Sequence, residues 1–192
     1  MKARDIPNII SFIRILLVAP TAYMLATEEY ALAFFMFGVA GATDAADGIL
    51  ARRFNWQSKL GALLDPIGDK LLLVSSFLIL GWLGHLPSAL VMLVIARDLI
   101  IVLGAASYHL FIAKVEIETV YISRVNTAFQ MLLVVLVIFE LSNLPLSQLI
   151  HHVLLDLLIV AVYISTILSG AVYVREWSKR AMAANKSEGQ HD

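Results

Sequence analysis

The sequence predicts an all-α fold: a polytopic membrane protein with six transmembrane helices behind a short N-terminal juxtamembrane segment. Three observations carry this expectation. Of 192 residues 60% are hydrophobic, and mean hydropathy is +0.83, beyond the range of soluble globular domains. Six apolar segments of roughly 20 residues recur along the chain, each long enough to cross a bilayer as a helix. The basic residues alternate between the loops that join them. The competing fold is a soluble helical bundle with an unusually apolar surface. Agreement of six segments in both length and charge alternation argues against it.

The opening MKARDIPN carries Lys2 and Arg4 and is expected to lie at the membrane surface. It holds no small-residue cleavage site, so the first apolar run reads as a retained span. The spans are expected at 8–26, 29–48, 62–83, 87–110, 121–142 and 147–173. Spans two and three are joined by ILARRFNWQSKL, and spans four and five by FIAKVEIETV. The polar stretch REWSKRAMAANKSEGQHD closes the chain, with about its last ten residues expected to be disordered. This gives a membrane domain over 1–175 and a cytoplasmic tail over 176–192. The loops after spans one, three and five hold Glu28, Glu29, His85 and Asn143 but no Lys or Arg. The N-terminus, the other two loops and the tail hold most of the basic residues, which puts both termini and the Asp-rich loop in the cytoplasm. The chain has no cysteine, which excludes disulfides and thiolate metal sites. A net charge of −1 gives no sign of a nucleic-acid partner.

Charge at membrane depth points to function, and it gathers in one stretch, TDAADGILARRFNWQSKLGALLDPIGD, from Thr43 to Asp69. On helices Asp44 and Asp47 are i, i+3 neighbours, and Asp65 and Asp69 are i, i+4 neighbours, so each pair shares a face. Two such pairs facing each other would converge four carboxylates, which resist desolvation and repel one another. Divalent cations neutralise such a set, and oxygen-only ligands favour Mg²⁺ or Mn²⁺. Gly48 and Gly61 allow a close approach of backbone or substrate. Arg52 offers a planar fork to phosphate oxygens. Pro66 is expected in the first turn of span three, where its missing N–H is harmless. Two further arginines lie within expected spans. Arg14 either faces a polar cavity or snorkels to the headgroups. Arg97, deeper, either faces the same cavity or pairs with Asp98. Acids clustered with arginine at a membrane edge imply metal-dependent transfer or hydrolysis of a lipid phosphate.

The spacing Asp44-x2-Asp47-Gly48-x2-Ala51-Arg52-x8-Gly61-x3-Asp65-x3-Asp69 resembles the signature of the CDP-alcohol phosphotransferases, with every defining position present. The family also has six spans, and the resemblance covers nearly all of them. It implies transfer of a phosphatidyl group from CDP-diacylglycerol to an alcohol with release of CMP, by a homodimer. By the same resemblance Asp44, Asp47 and Asp65 are metal ligands, and Asp69 is the base that also touches the metal. Gly48, Arg52, Ser58 and Gly61 would hold the CDP-lipid. The opening Pro7-Asn8-x2-Ser11-x2-Arg14 is similar to the family's Pro-Asn-x2-Thr-x2-Arg, which places Asn8 and Ser11 beside the nucleotide.

Two acceptors compete. Phosphatidylglycerophosphate synthases of the family usually show Arg-Glu in span four and Lys-x-Lys-Thr in span five. Here those places read Arg97-Asp98 and Arg124-Val125-Asn126-Thr127, and the run from Ile122 to Gln130 is similar to the cardiolipin synthase pattern. Fewer cations suit the singly charged phosphatidylglycerol better than glycerol 3-phosphate. Arg97, Arg124 and Asn126 are therefore expected at the acceptor, with phosphatidylglycerol favoured and glycerol 3-phosphate the alternative. The expected location is the inner membrane of a bacterium, with the active site cytoplasmic. A reading of another class, a cation transporter, predicts acids spread through the membrane depth; these gather at one face.

Overall fold

In long apolar runs the backbone must satisfy its own N–H and C=O groups, and the α-helix does this within one segment. The computed structural model describes residues 6–54, 61–111 and 121–188, with side chains over 10–43, 67–104 and 121–176. Among the described residues it is all helix: α1 (Ile6–Ala26), α2 (Tyr30–Phe54), α3 (Gly61–Trp82), α4 (Ser88–Phe111), α5 (Tyr121–Leu141) and α6 (His152–Glu188), with a 3₁₀ turn at Ser147–Leu149.

The turns are closed by local hydrogen bonds. After α1, Glu28 takes a left-handed φ of 62°. Its N–H donates to the Leu25 carbonyl at 3.1 Å, and the Glu29 N–H donates to the Met24 carbonyl at 2.9 Å. This is a Schellman close with a glutamate where glycine is usual. Gly84, at φ 82°, ends α3 in the same way, with the His85 N–H on the Leu80 carbonyl at 2.9 Å.

Several boundaries differ from expectation. α2 runs on through Phe54, so Arg52 and Arg53 extend a helix instead of opening a loop. Pro66 is the sixth residue of α3, beyond its first turn. α6 starts at His152, because positive φ at Asn143 and Leu146 breaks the preceding stretch. It then continues to Glu188, into residues expected to be disordered. Two helical stretches among the described residues are long and apolar enough to cross a bilayer, Tyr121–Leu141 and His152–Glu176. Ile10–Ala26 and Tyr30–Thr43 are shorter apolar stretches among the described residues.

The chain divides into two compact units, Met1–Pro87 with Met131–Leu155, and Ser88–Gln130 with Asp156–Asp192. In the first, α1 packs against both α2 and α3. Its core includes Leu25, Phe37, Leu72, Phe77, Leu133 and Ile138, all buried. The rings of Phe34 and Phe139 lie 5.0 Å apart. The second unit buries Leu90, Val94 and Val162 along with a run of polar groups: Arg97, Asn126, Gln130, Thr166 and Ser169. Large apolar side chains also face outward, among them Phe35, Met92, Leu103 and Leu157.

Candidate active site

Helical periodicity sets the acids in pairs. α2 carries Asp44 and Asp47 one turn apart, and α3 carries Asp65 and Asp69 one turn apart. α1 packs on both helices. The side chains of Asn8, Asp44, Asp47, Gly48, Arg52, Gly61 and Asp65 lie outside the described residues, as does the whole of Ser58. Among the described residues no group of three or more acids and histidines gathers. Asp69 is the member of the quartet whose side chain is described.

Asp69 meets an arginine of α1, from outside the Asp44-to-Asp69 stretch. The Arg14 Nη1 donates to Asp69 Oδ1 at 3.3 Å. The arginine is 1% exposed and the aspartate 32%. Arg14 is thus buried between helices and bonded to an acid of the motif. Ser11, one turn earlier on α1, is buried on the same side. Gly68 faces the same packing: a Cβ there would stand at ordinary contact distance, 3.4 Å from Ile15 Cγ1 and 3.5 Å from Arg14 Cδ. The donor chemistry of the quartet fits a hard divalent cation, being carboxylate oxygen throughout. Asp69 itself is partly accessible, as a group meeting substrate or metal must be.

The residues expected at the acceptor belong to the second unit and differ in environment. Arg97 is 3% exposed, and it makes four hydrogen bonds. Nη1 donates to Asp98 Oδ1 at 2.6 Å. Nη2 donates to Ser123 Oγ and Ser169 Oγ, both at 2.6 Å, and Nε donates to Ser169 Oγ at 3.2 Å. The guanidinium also lies 5.8 Å from the centre of the Tyr173 ring, within cation–π range. Asn126 is fully buried, and its Oδ1 accepts from Ser165 Oγ at 2.7 Å and Thr166 Oγ1 at 2.9 Å. Arg124 is exposed.

Reading residues along the sequence missed Ser123, Ser165, Thr166, Ser169 and Tyr173 as partners, and missed Gly68. A usable signal was present: Ser165, Thr166 and Ser169 share one helical face inside an otherwise apolar run.

Comparison with known proteins decides the family. The model for CDP-alcohol phosphatidyltransferases matches residues 4–181. The chain belongs to the CDP-alcohol phosphatidyltransferase family. Human cardiolipin synthase (CMP-forming) is 32% identical over 145 residues, covering 67% of this chain and 48% of that protein. The rice chloroplastic CDP-diacylglycerol–glycerol-3-phosphate 3-phosphatidyltransferase 1 is 33% identical over 147 residues, 68% of this chain and 45% of that protein. The enzyme named CDP-diacylglycerol–glycerol-3-phosphate 3-phosphatidyltransferase in Blochmanniella floridana is 29% identical over 151 residues, 72% of this chain and 76% of that protein. The chain spans about half the length of the human and rice relatives. Relatives of both acceptor types match to a similar degree, and cation transport finds no support among them.

Proposed function

We propose that this protein transfers the phosphatidyl group of CDP-diacylglycerol to a hydroxyl of phosphatidylglycerol, giving cardiolipin and CMP. The observation that carries the reaction type is the complete Asp44-to-Asp69 pattern inside a chain of this family. Asp44, Asp47, Asp65 and Asp69 are the residues to hold Mg²⁺ or Mn²⁺. Such an ion, when bound, supplies positive charge to the substrate pyrophosphate. Asn8, Ser11, Gly48, Arg52, Ser58 and Gly61 bind the CDP-lipid, with Arg52 offsetting charge on its phosphate oxygens. Asp69 takes the proton of the acceptor hydroxyl. The freed oxygen forms a bond to the lipid-side phosphorus as the bond to CMP breaks.

Arg97, Arg124 and Asn126 form the acceptor end. Arg97 contributes by bracing α4, α5 and α6, because its donors already meet Asp98, Ser123 and Ser169. Asn126 where a lysine would serve a more highly charged acceptor favours phosphatidylglycerol. The second reading, glycerol 3-phosphate as acceptor, is favoured by the rice and Blochmanniella relatives.

Six membrane spans within 1–175, a cytoplasmic tail over 176–192 and a homodimer in a bacterial inner membrane complete the proposal. Outward-facing Phe35, Met92, Leu103 and Leu157 support immersion in lipid. The test is an acceptor assay on purified protein with CDP-diacylglycerol and Mg²⁺, each acceptor supplied alone, and Asp69→Asn as control. Cardiolipin and CMP are the expected products. Exclusive use of glycerol 3-phosphate would reverse the choice of acceptor, and no CMP release with either would end the proposal.

A further inference from the structure

We infer that Arg14 is a positioning residue for Asp69, its stem packed beside Gly68 of α3; this rests on Asp69 acting as the base proposed above. Three observations converge. The Arg14 guanidinium holds one oxygen of the Asp69 carboxylate, Nη1 to Oδ1 at 3.3 Å. Arg14 is 1% exposed, so it is shielded from solvent where Asp69, at 32%, is not. The arginine stem lies along the Gly68 backbone, where a Cβ would meet Arg14 Cδ at 3.5 Å and Cγ at 3.9 Å. A cation placed to grip substrate phosphate would have its fork open toward solvent. This one is covered, and it holds the carboxylate of the proposed base.

The arrangement answers a physical need. An aspartate carboxylate can turn about its last bond, and a base must present one oxygen to the incoming hydroxyl within hydrogen-bond reach. A planar donor fork fixed by packing limits that rotation. Its positive charge also offsets part of the repulsion among acids that share the motif. Groups that orient a catalytic or ligating side chain from behind typically contribute about 10- to 100-fold in activity.

The experiment is a double-mutant cycle on the full-length protein, with kcat, KM and thermal midpoint measured for Arg14→Gln, Asp69→Asn and the pair. Arg14→Gln is expected to lower kcat by about 10- to 100-fold with KM for CDP-diacylglycerol within about twofold. In the Asp69→Asn background it is expected to lower residual activity no further. Direct titration of CDP binding, a readout separate from turnover, is expected to be unchanged by Arg14→Gln. An equal loss in both backgrounds, or a raised KM with kcat intact, would overturn the inference.

Should Arg14→Gln fail to fold, two other variants carry the test. Arg14→Lys keeps the charge and most of the stem but not the fork, and is expected to keep the thermal midpoint while losing kcat. Wild-type kcat in Arg14→Lys would show that charge alone suffices and would overturn positioning by the fork. Gly68→Val inserts bulk against the Arg14 stem and is expected to reproduce the kcat loss in the Asp69 background only. An inactive wild-type protein would instead count against the proposed reaction, an outcome separable from each of these.

Discussion

Arg97→Met tests whether the second unit is held together by a buried guanidinium. Methionine keeps much of the stem's packing and removes the charged fork. Three partners lose a donor: Asp98 on the same helix, Ser123 on α5 and Ser169 on α6. In water-soluble proteins, breaking a buried ion pair from one side costs about 3–5 kcal/mol. Polar contacts between helices in a bilayer are weaker, averaging about 0.6 kcal/mol and reaching about 1.7. Two interhelical contacts at those values, added to an ion pair at the low end of its range because Asp98 is only one residue away, give about 4–6 kcal/mol. The assay is denaturation in mixed micelles of lipid and detergent, following helix content, with Ser169→Ala as a smaller deletion expected to cost about 1 kcal/mol. Loss of less than about 0.5 kcal/mol, the range of an ordinary surface change, would refute the bracing role. A raised acceptor KM at unchanged stability would refute it differently, by showing that the fork opens to substrate.

Three other outcomes are expected. Asn126→Leu should cost only about 1 kcal/mol in the same denaturation assay, because Ser165 already has the Val162 carbonyl at 3.2 Å as a second acceptor. Glu28→Gly should stabilise by about 1 kcal/mol, since it removes the Cβ from a left-handed position at φ 62°; thermal unfolding in detergent reads the shift. Treatment with a chelator should abolish CMP release and Mg²⁺ should restore it, the outcome expected of the cation proposed for the four acids; full activity in the chelator would refute the metal reading.

Helix content was legible because long apolar runs leave little choice. No strand occurs among the described residues, and six helices fall on the six expected segments. Boundaries were less legible, and the reason differs from place to place. α2 outlasts its apolar run because Asp44, Asp47, Arg52 and Arg53 do not forbid helix; hydropathy marks where lipid is expected to end, not where backbone hydrogen bonding ends. α6 outlasts its own run through REWSKRAMAANKSE for the same reason, as Ala, Lys, Arg and Glu favour helix. The start of α6 slipped in the other direction. Leu146 takes a φ of 76°, a conformation that a leucine does not advertise.

The two buried arginines show what a linear pattern can and cannot carry. Arg97 stands beside Asp98, so their pairing was available from adjacency, and it is found at 2.6 Å. Its serines come from 26 and 72 residues away, and the shared helical face of Ser165, Thr166 and Ser169 hinted at the farther one alone. Arg14 had no such neighbour, because its acid lies 55 positions on. What brings them together is the packing of α1 on α3, which nothing beside Arg14 in the sequence announces. The family motif fixes the positions of the acids along the chain; it is silent on what holds each carboxylate still. A chain that must keep several negative charges near lipid needs positive charge that is anchored, and an anchored charge is a buried one. Buried arginine is therefore the place to look for the support of such a site, since the cost of sealing it away is offset only where an acid or a set of hydroxyls meets it.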